Sequence, residues 1–373
     1  MSALILDVET TIFQKGNPFA RRNHLCYVGA YPEGGPIYVG SPDIIPTLRP
    51  QVVSCSTVVG FNIKFDLHWL QRYGLTIGDR RVWDCQLAHF LLTGQREVYP
   101  SLDEVLAYYN LPPKDPTIER DYWSKGIDTP DIPQDLMIHY LCRDLEATME
   151  VYQRQQVDFR KNPQLFRLFS LSCQDLLVLQ EMEWNGLKLD VERVHAREKE
   201  LSSELEAIET RLNGLYPHIP INWNSVDDVS SILYGGTVVR ERREVIGVYK
   251  TGAKIGMPRY RVLEDVHPVP RLCEPLPNSE LAKEGYWSTD EQTLKQLKGA
   301  KHVVADLLAR AKLSKELDYF KGLPKLIEEK DWDSGMLHGQ LNQCVAATGR
   351  LSASAPNQQN LSEAIKSCMV SRY

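Results

Sequence analysis

Three short stretches carry side chains whose types and spacing could do chemistry together. The N-terminal run MSALILDVETT places Asp7 and Glu9 two residues apart on what reads as a buried first strand. Side chains on a strand alternate between faces, so both carboxylates leave from the same side. Paired carboxylates on one rigid edge are what a hard cation such as Mg²⁺ requires. The spacing alone decides nothing. It recurs at Asp144 and Glu146 and at Asp190 and Glu192, where Asp190 reads as a helix cap. The second stretch is N-I-K-F-D-L over 62–67, where a strand gives way to a helix. Asp66 would therefore sit near the edge of the sheet and could face the first pair; read alone, it is an exposed acid after a helix-starting Asn62. The third is Y-L-C-R-D over 140–144. Four residues apart on a helix, the Tyr140 phenol and the Asp144 carboxylate share a face.

The elements that must position these groups follow from the apolar pattern. Residues 1–155 alternate strand-like and amphipathic runs, the pattern of an α/β domain. Strands are expected over 3–8, 25–31 and 57–61, and helices over 64–73, 83–92 and 102–109. Proline-rich turns follow at 111–116 and 129–133, and Pro133 opens a long helix to about residue 156. The middle is mostly helical. Leu201, Leu205, Ile208, Leu212 and Leu215 advance in steps of 4, 3, 4 and 3, a coiled-coil-like seam. A second long helix over 302–319 suggests an antiparallel pair projecting from the body. The excursion between them, about 220–290, is rich in glycine, proline and basic residues, with strand-like pieces at 244–249 and 259–263.

Composition narrows the class. Hydrophobic residues are 43% and charged residues 25% of the 373, a globular balance, and the length suits two or three domains. The apolar run at the N-terminus is too short for a signal peptide or a membrane helix. Eight cysteines include no C-x-x-C pair, which argues for reduced thiols in a cytoplasmic protein. The net charge of −6 excludes a protein that is basic all over. One local patch remains: Arg240, Arg242, Arg243, Lys250, Lys254, Arg259 and Arg261, opposed by Glu241 and Glu244. It reads either as a solvated loop or as a surface for nucleic acid.

In this order within an α/β domain, the three acidic stretches match the DEDD-type exonuclease pattern, with tyrosine four residues before the last aspartate. The chain also resembles, along its whole length, the N-terminal portion of a phage-type family A (polymerase I-like) DNA polymerase. EMEWNGLKLD over 181–190, INWNS over 221–225, YWSTDE over 286–291 and KLSKELDYFKG over 312–322 look like thumb landmarks. ATGRLSASAPNQQN over 347–360 is similar to the segment where the palm begins and grips primer–template DNA; Gln358 stands where many relatives carry leucine.

The resemblance implies a ribonuclease H-like 3′→5′ exonuclease domain over 1–155, a helical thumb-like region over 156–333 and an incomplete palm over 334–373. It implies two ions, Mg²⁺ or Mn²⁺, of the kind that activate water on one side of a phosphodiester and stabilise the leaving oxygen on the other. Asp7, Glu9 and Asp144 are assigned to the ion holding the attacking water. Asp7 would bridge to the second, with Asp66 nearby or acting through water. Tyr140 would orient the water by a hydrogen bond. Asn62 and Phe65 would hold a single-stranded 3′ end, and Phe13 is a candidate wedge against the terminal base. Arg350 would contact the DNA backbone, with Asn357, Gln359 and Asn360 near the minor groove, although such residues are also ordinary turn chemistry. The polymerase motifs D-x-S-x-x-E and H-D-E and the basic fingers helix do not occur in the 373 residues. The expectation is a split polymerase whose palm and fingers come from a separate polypeptide, which would complete a strand edge over 337–345. A truncated or interrupted product is the alternative.

Overall fold

In the computed structural model, which describes residues 2–252 and 254–371, β1 (Ala3–Thr10) is the middle strand of a five-stranded mixed sheet. Its first four residues are all buried, as a central strand covered on both faces requires. On one side β2 (Leu25–Pro32) pairs antiparallel, with β3 (Tyr38–Gly40) beyond it. After α1 (Ile45–Ser54), β4 (Thr57–Gly60) lies parallel on the other side of β1. α2 (Ile63–Arg72) follows, and β5 (Arg81–Asp84) closes the order β3-β2-β1-β4-β5.

Here one expectation fails. A helix over 83–92 was expected, but Trp83 and Asp84 end β5, and α3 (Cys85–Leu92) starts only after them. The reason is local: the Asp84 carboxylate accepts the backbone N–H groups of Gln86 and Leu87, so it caps the helix instead of joining it.

α4 (Leu102–Tyr108) opens on a capping box formed by Ser101 and Glu104. After the short α5 (Thr117–Asp121), α6 (Gln134–Lys161) runs five residues beyond its expected end, with Pro133 before its first residue. α7 (Pro163–Asn185) and β6 (Leu187–Leu189) complete the stretch. α6 packs directly on β1 and β2, and Gly29 of β2 permits it. A Cβ there would stand 2.7 Å from Leu145 Cδ1 and 3.1 Å from Leu141 Cγ.

Residues Glu192–Lys321 form a second compact unit, separate from Met1–Val191 with Gly322–Tyr373. These divisions fall away from the expected boundaries at 155 and 333. α6 runs through the first of those. In the second unit α8 (Val191–Asn213) buries Leu201, Ile208 and Leu212 of the seam; Leu205 is half-buried, while Leu215 lies past the helix end and is exposed. α9 (Val226–Tyr234) leads into a two-stranded ribbon of β7 (Gly236–Val248) and β8 (Pro258–Val269). α10 (Glu291–Gln296) and α11 (Lys301–Glu329) follow. Ion pairs Arg197–Glu316, Glu209–Arg310 and Arg211–Asp306 run in opposite order along α8 and α11, so these helices are antiparallel.

The rest returns to the first unit as β9 (Met336–Leu337), β10 (Gln340–Asn342), β11 (Ser352–Ser354), α12 (Glu363–Lys366) and β12 (Met369–Val370). The strand expected over 337–345 is two short pieces with different partners: β9 pairs with β6, and β10 with β11. Gly339 separates them, its backbone so close to Pro356 and Gln358 that a Cβ would meet Gln358 Nε2 at 2.5 Å. Among the described residues, no helix is long and apolar enough to cross a membrane.

Candidate functional site

β1, α2 and α6 bring the three acidic stretches to one place. Asp7 and Glu9 alternate with buried Leu6, Val8 and Thr10, so both leave β1 on one face. The register of β1 against β2 shifts between Glu9 and Thr10, so the regular ladder ends just past the second carboxylate. Asp7 lies directly across from Gly29, and the close approach of α6 over that glycine brings Asp144 down onto the pair. Carboxylate oxygens of Asp7, Glu9 and Asp144 all lie within 4.8 Å of one another. Three hard oxygen donors converging at that spacing fit one divalent cation such as Mg²⁺ or Mn²⁺.

Asp66 is adjacent but turned to a different partner. It sits in the first turn of α2, is buried, and accepts the Val8 backbone N–H at 3.1 Å. Its helix starts from a forced turn: Asn62 has φ +57, and the N–H groups of Asn62 and Ile63 donate to the Asp84 carboxylate at 3.3 and 3.1 Å. Asp84 thus holds the turn that presents Asn62, whose side chain is exposed. Phe65 is half-buried and rests by Gly16, where a Cβ would approach Phe65 Cζ to 3.1 Å. Phe13 lies in a short 3₁₀ turn with the Arg22 guanidinium 4.1 Å over its ring.

The electrostatics follow from burial first and crowding second. Burial and the neighbouring Asp144 carboxylate push Asp7 up to about 7, against the pull of Lys114 and the Val8 N–H. Burial, then Asp7 and Asp144, hold Glu9 well above the ordinary glutamate range. Burial and Asp7 do the same to Asp66. Burial also raises Asp144, although the Lys114 ammonium opposes it. Tyr140 is raised by burial and by the surrounding carboxylates, so it remains a neutral phenol that can donate a hydrogen bond. Like-charged groups held together this way create a demand for cations.

Lys114 was missed. Its Nζ sits 2.7 Å from Asp144 Oδ2 and donates to the Tyr140 hydroxyl at 2.7 Å. The sequence offered only a lysine inside a proline-rich turn, with nothing to say where the turn goes.

The remaining expected contacts lie elsewhere. Arg350 lines a cleft with Leu87, Phe90, Ser172 and Gln343. Asn357 spends its side-chain oxygen on the Gln359 N–H at 3.1 Å, and Gln359 donates to the Leu351 carbonyl at 3.2 Å. Asn360 ends the same exposed 3₁₀ turn. None of these four belongs to the acidic cluster.

Two family models match the chain: the 3′–5′ exonuclease over residues 37–158 and DNA polymerase family A over 270–372. Residues 37–158 are thus similar to 3′–5′ exonuclease domains and residues 270–372 to family A DNA polymerases. The exonuclease match includes Asp66, Tyr140 and Asp144 but begins after Asp7 and Glu9, which geometry alone adds. DNA polymerase I of Chloroflexus aurantiacus is 26% identical over 308 residues, 80% of this chain and 28% of that protein. The thermostable DNA polymerase I of Thermus filiformis is 31% identical over 185 residues, 49% of this chain and 17% of that one. The chain thus spans about a quarter of the length of the first of these relatives. The solved structure of the POL domain of Pol1 from M. smegmatis, in complex with DNA primer–template and dNTP, covers 99% of this chain with a TM-score of 0.69. This chain covers 55% of that one, at 16% identity, and the likeness is one of fold. Exonuclease domains of this family use divalent metals, as the acidic cluster here accommodates.

Proposed function

We propose that this chain is a metal-dependent 3′→5′ exodeoxyribonuclease that hydrolyses 3′-terminal phosphodiesters of DNA and releases 5′-monophosphates, serving as a proofreading nuclease in replication. The observation that carries this reading is the convergence of Asp7, Glu9 and Asp144 within 4.8 Å, with Tyr140 one helical turn from Asp144. Two divalent ions would supply water activation and charge stabilisation at the leaving 3′ oxygen. Asp7, Glu9 and Asp144 would hold one ion. Asp7 and the adjacent Asp66 would serve the second, Asp66 directly or through water. The Tyr140 hydroxyl orients the attacking water and takes no proton. Asn62, exposed at the N-cap of α2, and the half-buried Phe65 in its first turn hold the single-stranded 3′ end, and Phe13 packs against the terminal base.

Digestion of 3′-labelled single-stranded DNA tests the assignment. Asp66→Ala is expected to lower the rate by at least ~10³-fold, while Tyr140→Phe, which removes one orienting hydrogen bond, lowers it about tenfold. Undiminished activity in Asp66→Ala refutes the site. Equal losses in the two variants refute the role given to Tyr140.

A second reading concerns the match of 270–372 to the polymerase family. In it the chain also contributes to primer–template binding through Arg350, Asn357, Gln359 and Asn360, and works with a separate polypeptide that supplies palm and fingers. Primer extension by the chain alone, by a candidate second polypeptide alone and by the mixture separates the two. Extension only in the mixture supports assembly, and none in the mixture removes it.

A further inference from the structure

The acidic cluster already has one cation of its own. Lys114 Nζ is bonded to Asp144 and to the Tyr140 hydroxyl, lies 4.8 Å from the centre of the Tyr140 ring, and stands 4.0 Å from Glu119. Its side chain is only 15% exposed, so the ammonium has given up most of its water for these partners. The loop that delivers it is stiff. Pro112, Pro113 and Pro116 fix their own φ angles around it, and the Lys114 backbone N–H donates to Asp103 Oδ1 at 3.1 Å. A lysine presented by such a loop is placed there rather than drifting in from the surface.

Charge explains why it is needed. Asp7, Glu9 and Asp144 set three carboxylates within 4.8 Å on the packed face between β1 and α6. Without a counter-ion those groups repel one another and α6 from the sheet. Burial alone would pull Lys114 down, but Asp144, Asp7 and Glu9 outweigh it and the ammonium stays charged.

A divalent ion bound by the cluster needs the same Asp144 carboxylate as a ligand, at about 2.0–2.1 Å for Mg²⁺. An ammonium at hydrogen-bond distance from that carboxylate repels the incoming ion. We propose that Lys114 is a tethered counter-ion that competes with the divalent metal for Asp144, holding the carboxylates in register without metal and setting how much metal loads the site. The exchange at Asp144 is a change of partners: the Lys114–Asp144 bond breaks, a metal–carboxylate bond forms, the lysine keeps its proton and no electron moves. The nuclease would then engage only above a threshold of free divalent ion. This rests on the reading that Asp7, Glu9 and Asp144 bind metal.

The test is Mn²⁺ titration of the full chain without DNA, with free Mn²⁺ followed by electron paramagnetic resonance. The proteins are the wild type, Lys114→Met, Lys114→Gln and Lys114→Arg, with Asp7→Asn/Glu9→Gln as the site-deficient control. Removing the charge, and with it the repulsion of the incoming ion, is expected to tighten Mn²⁺ binding about tenfold in Lys114→Met and Lys114→Gln, while Lys114→Arg stays within about twofold of the wild type. In chelator, both neutral variants should melt below the wild type, whereas Lys114→Arg should not. Either neutral variant, folded by circular dichroism, suffices. Unchanged or weaker Mn²⁺ binding in the neutral variants overturns the proposal. So does a fall in nuclease rate at equal Mn²⁺ occupancy larger than that of Tyr140→Phe, which would place the lysine on DNA instead. If the wild type binds no more Mn²⁺ than the control, the metal reading itself fails and the lysine is not at issue.

Discussion

The carboxylates of β1 and α6 are packed against the sheet of the first unit, whereas most arginines and lysines of the β7–β8 ribbon and its connecting turn stand in water in the second. Asp66 and Asp144 are buried, and burial, joined at Asp7 and Asp66 by neighbouring carboxylates, holds the acidic group above its ordinary range. On the ribbon, Arg240 is paired with Asp228 and Arg242 with Asp265, while Arg243, Lys250, Lys254, Arg259 and Arg261 are exposed. Buried like charges oppose folding and persist only where the surrounding structure holds them in place. Exposed charges cost little and stabilise little. Substitutions should therefore act in opposite ways in the two regions: strongly on activity, with a gain in stability, at the acids, and weakly on both at the ribbon.

The largest effect belongs to Asp7→Asn combined with Glu9→Gln. Nuclease activity is expected to fall by more than ~10³-fold. The same pair of changes removes two of the crowded charges at nearly constant shape, so melting in chelator should occur at a higher temperature than for the wild type. A lower melting temperature would mean that the acids are structural, and the contrast between the two regions would collapse.

Gly29 comes next, since it sets the distance between the two sources of carboxylate. In Gly29→Ala the new Cβ meets Leu145 Cδ1 at 2.7 Å and Leu141 Cγ at 3.1 Å. Such overpacking costs about 1–3 kcal/mol. The relief open to it is a shift of α6 away from β2, which moves Asp144 from Asp7. A displacement of about 1 Å can lower a rate about 10²-fold. Loss of rate together with weaker Mn²⁺ binding is expected; full activity would show that the helix can adjust without moving Asp144.

A smaller, graded effect comes from pH. Asp7 is raised from 3.8 to about 7, so the folded chain holds this proton more tightly than the unfolded chain does. Its contribution to stability without metal is therefore fully present below about pH 4 and is lost as pH rises through about 7. Metal binding runs the other way, because a ligand carboxylate must be ionised. Mn²⁺ affinity should fall about tenfold per pH unit below 7 and level off above it. A flat affinity between pH 6 and 8, read from titrations at fixed ionic strength, would remove Asp7 from the ligand set.

What could be read from the sequence divides along the same physical line. Asp7 with Glu9, and Tyr140 with Asp144, were legible because strand and helix periods are local properties that decide which side chains share a face. The shift from β4 to α2 at Asn62 was legible for the same reason. Asp84 was misread as helical because apolar residues continue across the strand–helix junction, and only its backbone partners reveal the cap. Gly29 and Lys114 were invisible. The role of Gly29 depends on which residue faces Asp7 across the sheet, and that of Lys114 on the path of a loop between α4 and α5. Both are set by contacts between segments far apart in the chain.

The smallest effect is expected on the ribbon. Arg243 and Arg261 are exposed near its outer half, opposite Val262 and Glu244 in the ladder. Replacing both with alanine should change stability by less than ~0.5 kcal/mol, because neither side chain is packed. If the ribbon faces DNA, each lost phosphate contact reduces the slope of log affinity against log salt by about 1, whatever the DNA sequence. Measuring affinity for a primer–template across a salt series checks this. An unchanged slope would leave these arginines as solvated surface, and the ribbon would no longer serve as the cationic counterpart of the acid cluster.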